Sequence, residues 1–273
     1  MKALIEKINI FLFKRFIKIE KSRRIFISAG ILGSIMLFST FFFFDKFYIF
    51  IPIFIVVSYL LTYFALLEDI EKIEWLMLFL IPVIFTVVSY LFFFLFPSRW
   101  LTRLPFVIIY FVSIYAILRT SNIFNVGVEK SLQLYRAAFS VNFFYQTLII
   151  FFFANFYLSL KLNPILNGLG IMMISFILAF HLFWVIKLEL VFEKLTLLYA
   201  MLLCLIMAEI ACMLSFYTLE IPVFSLVITA SYYGLAGLTY AYLDQRLFKE
   251  TIREYLFVII FVYLVAFLTS IRW

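Results

Sequence analysis

The feature that most constrains this chain is a series of apolar runs, each about as long as a helix that crosses a bilayer. Such a helix needs roughly 20 apolar residues, and a helix is the structure that lets a lone run satisfy its backbone hydrogen bonds in lipid. The sequence is 67% hydrophobic over 273 residues, whereas soluble domains are about 45–50% apolar. We therefore predict an all-α fold, a polytopic transmembrane helical bundle, with contact to the lipid bilayer.

Nine runs qualify as spans. The fourth is the weakest, because it is the shortest, and a re-entrant segment is the alternative for it. If it does not cross, the bundle has eight spans. In chain order the nine candidate spans are 25–44, 47–67, 75–96, 104–118, 139–160, 164–186, 195–217, 221–243 and 255–271.

The basic residues test this count. With nine spans and a cytoplasmic N-terminus, 17 of the 22 Lys and Arg residues lie on the cytoplasmic side and 5 on the outer side. Without the fourth span, the two sides would carry 11 each. Because cytoplasmic loops of membrane proteins carry an excess of Lys and Arg, the distribution favours nine spans. It predicts a multi-pass protein of a prokaryotic plasma or inner membrane.

The first 24 residues form a basic segment with eight Lys and Arg residues against Glu6 and Glu20. Its apolar residues recur near helical spacing, which is typical of an amphipathic helix on an anionic membrane surface. A nucleic-acid partner is not expected, because the first span begins immediately afterwards. Residues 25–273 are predicted to form a single membrane domain.

A polar stretch precedes the fifth span. With Asn125 as a possible N-cap, it predicts a short interfacial helix near 121–138. Arg136 at its end is a candidate contact for lipid headgroups, with a snorkelling side chain as the alternative.

Glu209 is the single residue that most suggests a function. It lies inside the seventh span, where an acidic side chain costs on the order of 3 kcal/mol to insert near the helix centre. Such a group normally faces the bundle and is a functional candidate by default. A buried, hydrogen-bonded carboxyl that serves packing is the alternative.

Depth along the helices, at about 1.5 Å per residue, sorts the intramembrane polar residues into two predicted clusters. Asn155, Glu209 and Thr229 share a level about 21–24 Å from the cytoplasmic helix ends. Asn142, Gln146 and His181 lie about 5–10 Å from those ends. The fifth span contributes to both clusters, whereas the depth difference separates His181 from Glu209.

Motifs of catalysis are missing from the sequence. It has one histidine, which excludes a site with two histidine ligands, and it has no Gly-rich phosphate loop or nucleophile elbow. We expect no catalytic, cofactor or metal site. Small residues at i,i+4, such as Ala29 with Gly33 and Ala230 with Gly234, instead indicate close helix packing.

Three functions are compatible with these features. The first is a non-enzymatic membrane subunit or scaffold that acts through other membrane protein subunits or a homo-oligomer. The second is a small-molecule or lipid transporter that uses Glu209, which predicts a cavity reaching that side chain. The third, an intramembrane transferase for lipid-linked substrates, would use Arg119, Arg136 and His181 near the headgroups.

Overall fold

The computed structural model describes residues 19–42, 47–66, 74–96, 99–126, 133–186 and 194–270. Within these ranges the regular secondary structure is helical, and nine helices are long and apolar enough to cross a membrane. The chain therefore has the build of a multi-pass membrane protein, as its apolar runs predict. The helices are α1 Lys21–Phe42, α2 Phe47–Leu66, α3 Glu74–Phe93, α4 Trp100–Asn125, α5 Gln133–Ser159, α6 Pro164–Trp184, α7 Lys194–Leu214, α8 Ile221–Leu243 and α9 Lys249–Ser270.

The fourth span is longer than the sequence indicates. Its helix, α4, has 26 residues, about 39 Å at 1.5 Å per residue, so length is no reason to treat it as re-entrant. The polar stretch before the fifth span is divided: its first part continues α4 to Asn125, and its last part begins α5 at Gln133. The described part of the predicted interfacial helix therefore lengthens two spans. Residues 127–132, like most of the basic N-terminal segment, lie outside the described residues.

The chain divides into two compact units, one of Met1–Tyr90 with Pro97–Ala138 and the other of Leu91–Phe96 with Phe139–Trp273. That residues 25–273 act as one membrane domain stays a prediction.

In the first unit, α1 packs against both α2 and α4. Gly33 of α1 lies against Phe111 of α4, where an added Cβ would be 3.6 Å from the Phe111 Cβ. Polar side chains join neighbouring helices as well: Ser28 Oγ donates to the Leu61 carbonyl over 3.1 Å, and Thr86 and Tyr110 share a hydrogen bond of 3.0 Å. Gly33 thus lies at the contact between α1 and α4, where an alanine would also fit.

In the second unit, α6 and α7 make the most extensive contact. Gly168 of α6 lets the backbones approach, because an added Cβ would collide with Cys212 Sγ and lie 3.1 Å from the Ala208 carbonyl oxygen. A hydrogen bond joins the start of α6 to the residue that follows α7, since Asn167 Nδ2 donates to Ser215 Oγ over 3.1 Å. This contact fixes which face of α7 is buried.

The second unit also contains a close contact between α8 and α9. Two glycines of α8 make room for side chains of α9, Gly234 for Ile259 and Gly237 for Tyr255. The other faces of α9 are largely exposed, with Val262 and Ala266 as its buried residues. The small-residue pairs predicted in the eighth span thus lie at a helix contact.

Side chains satisfy backbone groups in α6 and α3. Asn163 caps α6, because its Oδ1 accepts a hydrogen bond of 2.8 Å from the Leu166 backbone N–H, and Pro164 follows at the first helical position. Pro82 lies inside α3, where its carbonyl accepts a hydrogen bond of 2.8 Å from Thr86 Oγ1. Such side chains satisfy backbone groups that lipid cannot.

Candidate functional site

Three helices of the second unit meet at a buried polar network. Gln146 of α5 lies between His181 of α6 and Tyr232 of α8, and all three side chains are buried. Gln146 Nε2 is 2.9 Å from His181 Nδ1, and Tyr232 Oη donates to Gln146 Oε1 over 2.9 Å. The side-chain amide of Gln146 therefore joins α5, α6 and α8 at one point.

The network defines the hydrogen-bonding role of each group. Because the Tyr232 hydroxyl donates to Oε1 of Gln146, the amide NH₂ faces His181 and donates to Nδ1. Nδ1 then acts as the acceptor, which places the imidazole proton on Nε2. The network is thus a chain of donors that runs from Tyr232 through Gln146 to His181.

Asn142, the third member of the predicted inner cluster, lies one turn before Gln146 on α5. Its side chain is buried, and its Nδ2 makes no hydrogen bond with any described residue. The structure therefore brings Gln146 and His181 together. Asn142 lies one turn away on α5 and makes no hydrogen bond with either side chain.

The predicted outer cluster is not formed by the described residues. Asn155 Nδ2 donates to the Phe151 carbonyl of its own helix over 2.8 Å, and Thr229 Oγ1 donates to the Ser225 carbonyl over 2.7 Å. Each side chain thus satisfies itself locally, so neither needs a carboxylate from α7.

Glu209 is exposed on α7. The buried face of this helix consists of Ala200, Leu203, Cys204, Met207, Ala211 and Leu214. Glu209 instead shares a face with Leu198, Leu202, Leu205 and Met213, which are exposed apolar residues. It lies five residues before the end of α7, about 8 Å along the helix axis, and none of the described residues forms a hydrogen bond or ion pair with it.

Arg136, the candidate headgroup contact, is exposed in the first turn of α5, a position compatible with a membrane interface. Its contact with headgroups stays a prediction. Within the described ranges, no three His, Cys, Asp or Glu side chains are close enough to hold a metal ion.

Sequence reasoning missed Tyr232. Counted along the spans predicted from the sequence, 221–243 and 139–160, the Cα of Tyr232 is about 17 Å and that of Gln146 about 10 Å from the predicted cytoplasmic end, which places the two at different levels. In the structure α5 begins at Gln133, so Gln146 is about 20 Å along it. The chain also has 17 tyrosines, which makes any one of them inconspicuous. The length of the phenol was the available signal, because a hydroxyl so far from its backbone must find a partner when it is buried.

Comparison with protein-family models, curated proteins and solved structures finds no significant match to this chain.

Proposed function

We propose that this protein is a non-enzymatic membrane subunit, and that the exposed face of α7 binds a transmembrane helix of a partner protein. The observation that supports the proposal is the position of Glu209. Its carboxyl lies on an exposed apolar face, and none of the described residues provides it with a hydrogen bond or an ion pair. The group thus lacks a partner within the described chain at a place where a bilayer offers none.

The energetic argument depends on the surroundings of that face. Exposed leucines are unremarkable in a membrane protein, because lipid tails are as apolar as leucine. A carboxyl is different, since an acidic residue in a spanning helix costs up to about 3 kcal/mol at the helix centre and less towards the end, where Glu209 lies, and intramembrane acidic groups normally pair. A partner helix would reduce that cost and gain a specific contact.

The chemistry of the face indicates what kind of partner fits. A complementary helix would be apolar and would carry one Lys or Arg at the level of Glu209, because opposite charges attract strongly where the dielectric constant is low. A symmetric dimer of this chain is less suitable. Its two-fold axis would bring the same face of both copies together, with Glu209 opposite Glu209.

The test places a photoreactive amino acid at Leu205, on the Glu209 face, in the full-length protein in its own membrane. A matched probe at Phe261 of α9, which is also exposed, controls for random collisions. We expect the Leu205 probe to crosslink one protein in a spanning segment that contains a basic residue. The Phe261 probe should not capture that protein.

Native mass spectrometry of the same preparation should show this partner at fixed stoichiometry. Glu209→Gln should reduce its retention at least about tenfold, since losing one member of a buried charge pair costs about 2–5 kcal/mol. Glu250→Gln, which removes an exposed carboxylate at the start of α9, is the matched control and should change nothing.

Other outcomes distinguish the alternatives. A partner that stays bound to Glu209→Gln, or a wild-type protein that is monomeric with no partner, would contradict the proposal. A homodimer crosslinked through Leu205 would show that the partner is a second copy of this chain and not another protein. A monomer that carries a defined small molecule, lost in Glu209→Gln, would support the transporter instead.

A further inference from the structure

A cavity lies between the start of α1 and the end of α4 in the first unit. Its volume is about 480 Å³, and its lining residues are Ser22, Arg23, Phe26, Ile27 and Tyr115. Four of them occupy the first two turns of α1, and Tyr115 belongs to α4. The cavity therefore combines a polar end with an apolar wall.

The apolar wall is built on a tight helix contact. The Phe26 ring packs edge-on against Phe111, with 5.5 Å between centroids, and also against Tyr115 at 6.3 Å. Phe26 is nevertheless 58% exposed and Ile27 is 42% exposed. Both side chains thus present an apolar surface that the described residues leave uncovered.

Arg119 is held at the polar end by two of the lining residues. Its Nη2 donates to Ser22 Oγ over 2.9 Å and to Tyr115 Oη over 2.8 Å, and its Nε donates to the same Tyr115 hydroxyl over 3.0 Å. The guanidinium carbon lies 5.3 Å from the centre of the Tyr115 ring. These contacts orient a side chain that would otherwise lose considerable rotamer freedom on binding a ligand.

The same contacts leave donors for a ligand. A guanidinium has five N–H groups, and among the described residues Nη1 of Arg119 has no hydrogen-bond acceptor. Arg23 is also available to bind an anion. Its ion pair with Glu20, at 3.4 Å, joins two side chains that are about three-quarters exposed. Exposed pairs of this kind contribute little to stability, so an anion can replace the carboxylate at little cost.

We propose that this cavity binds one anionic phospholipid, with Arg119 and Arg23 on its phosphate and with Phe26 and Ile27 along the first part of an acyl chain. A planar guanidinium matches the oxygens of a phosphate. The apolar wall continues from the polar end along α1, as a molecule with a charged head and an apolar tail requires. The inference is independent of Glu209 and of any partner protein.

The experiment is native mass spectrometry of the full-length protein in detergent, supplied with equal amounts of phosphatidylglycerol and phosphatidylcholine that have the same acyl chains. We expect one phosphatidylglycerol to be retained in clear preference to phosphatidylcholine. Arg119→Gln should reduce that preference about tenfold or more, because a hydrogen bond to a charged group contributes about 1.5–3 kcal/mol. Arg23→Gln should reduce it by a smaller factor.

Arg246→Gln is the matched control, because it also removes one positive charge from an exposed arginine paired with a carboxylate. It should keep the wild-type preference. Arg23→Gln changes an exposed side chain and leaves the helix contact intact, so the test remains decisive if Arg119→Gln does not fold.

Three results would overturn the proposal. The first is equal retention of the two lipids by the wild-type protein. The second is an equal loss of preference in Arg246→Gln and in the two cavity variants, which would indicate a general effect of net charge. The third is complete displacement of phosphatidylglycerol by excess inorganic phosphate, which would indicate a site for free anions with no role for the acyl chain.

Discussion

Gln146 and Glu209 are both polar residues within apolar helices of the second unit, and their surroundings differ completely. Gln146 is buried between α6 and α8, and its amide is hydrogen-bonded on both sides. Glu209 lies on the exposed face of α7 among leucines, and the described residues offer it no partner. One side chain is satisfied by the described residues, and the other is not.

The difference separates two uses of a polar group in a bilayer. A buried amide with both ends paired stabilises the contact among three helices and specifies their arrangement. A carboxyl on an outer face makes no such contact with the described residues, so it contributes nothing to that arrangement. Substitutions at the two positions should therefore affect different measurements.

The largest loss of stability is expected for Gln146→Leu. Leucine has a similar volume but leaves His181 Nδ1 and Tyr232 Oη without their present partner. An unsatisfied buried group costs about 1–3 kcal/mol, and hydrogen bonds in membrane proteins average about 0.6 kcal/mol, so we expect a loss of about 1–4 kcal/mol. Reversible unfolding of the monomer in mixed micelles, with helicity as the readout, measures it.

A control variant separates the hydrogen bonds from packing. The triple substitution Gln146→Leu, His181→Phe and Tyr232→Phe removes every member of the network and should recover part of the stability lost by Gln146→Leu alone. If the triple variant loses as much unfolding free energy as the three single substitutions lose in sum, the network does not act as a unit.

A smaller effect is expected for Tyr232→Phe, which deletes one donor and leaves the ring in place. The Gln146–His181 hydrogen bond remains, so the loss should be about 1 kcal/mol. The same unfolding assay applies. An unchanged stability would show that the amide of Gln146 needs only its histidine partner.

The smallest effect on folding is expected for Glu209→Leu. Because the side chain is exposed and none of the described residues pairs with it, the free energy of unfolding of the monomer should change by less than about 0.5 kcal/mol. The same variant should lose the partner protein. A destabilisation as large as that of Gln146→Leu would instead make Glu209 a structural residue, and the contrast between the two positions would disappear.

The spans could be predicted from the sequence because their signal is one-dimensional. A run of apolar residues has a length, and that length decides whether a helix can cross a bilayer. Even the short fourth run was recovered through the distribution of Lys and Arg, and α4 proves to be a full-length helix. The helix ends were less predictable around residues 121–138, where the described residues extend α4 to Asn125 and begin α5 at Gln133.

Depth along a helix can also be estimated from the sequence, and it grouped Gln146 with His181, whose side-chain nitrogens lie 2.9 Å apart. It also grouped Asn155, Glu209 and Thr229, which the structure does not join. Two of these satisfy themselves on their own helices, a possibility that depth does not exclude. Tyr232 was missed because the fifth span was predicted to begin at residue 139, whereas α5 begins at Gln133, and the late start placed Gln146 at a different level.

The sequence by itself thus determined that this chain consists of apolar helices long enough to span a membrane, with polar residues inside them. Only the tertiary structure decided which way those residues face. In a soluble protein the alternation of polar and apolar residues reveals the buried side of a helix. In a bilayer both the lipid-facing and the packed sides are apolar, so the direction of Glu209 depends on which face of α7 packs against Gly168 of α6.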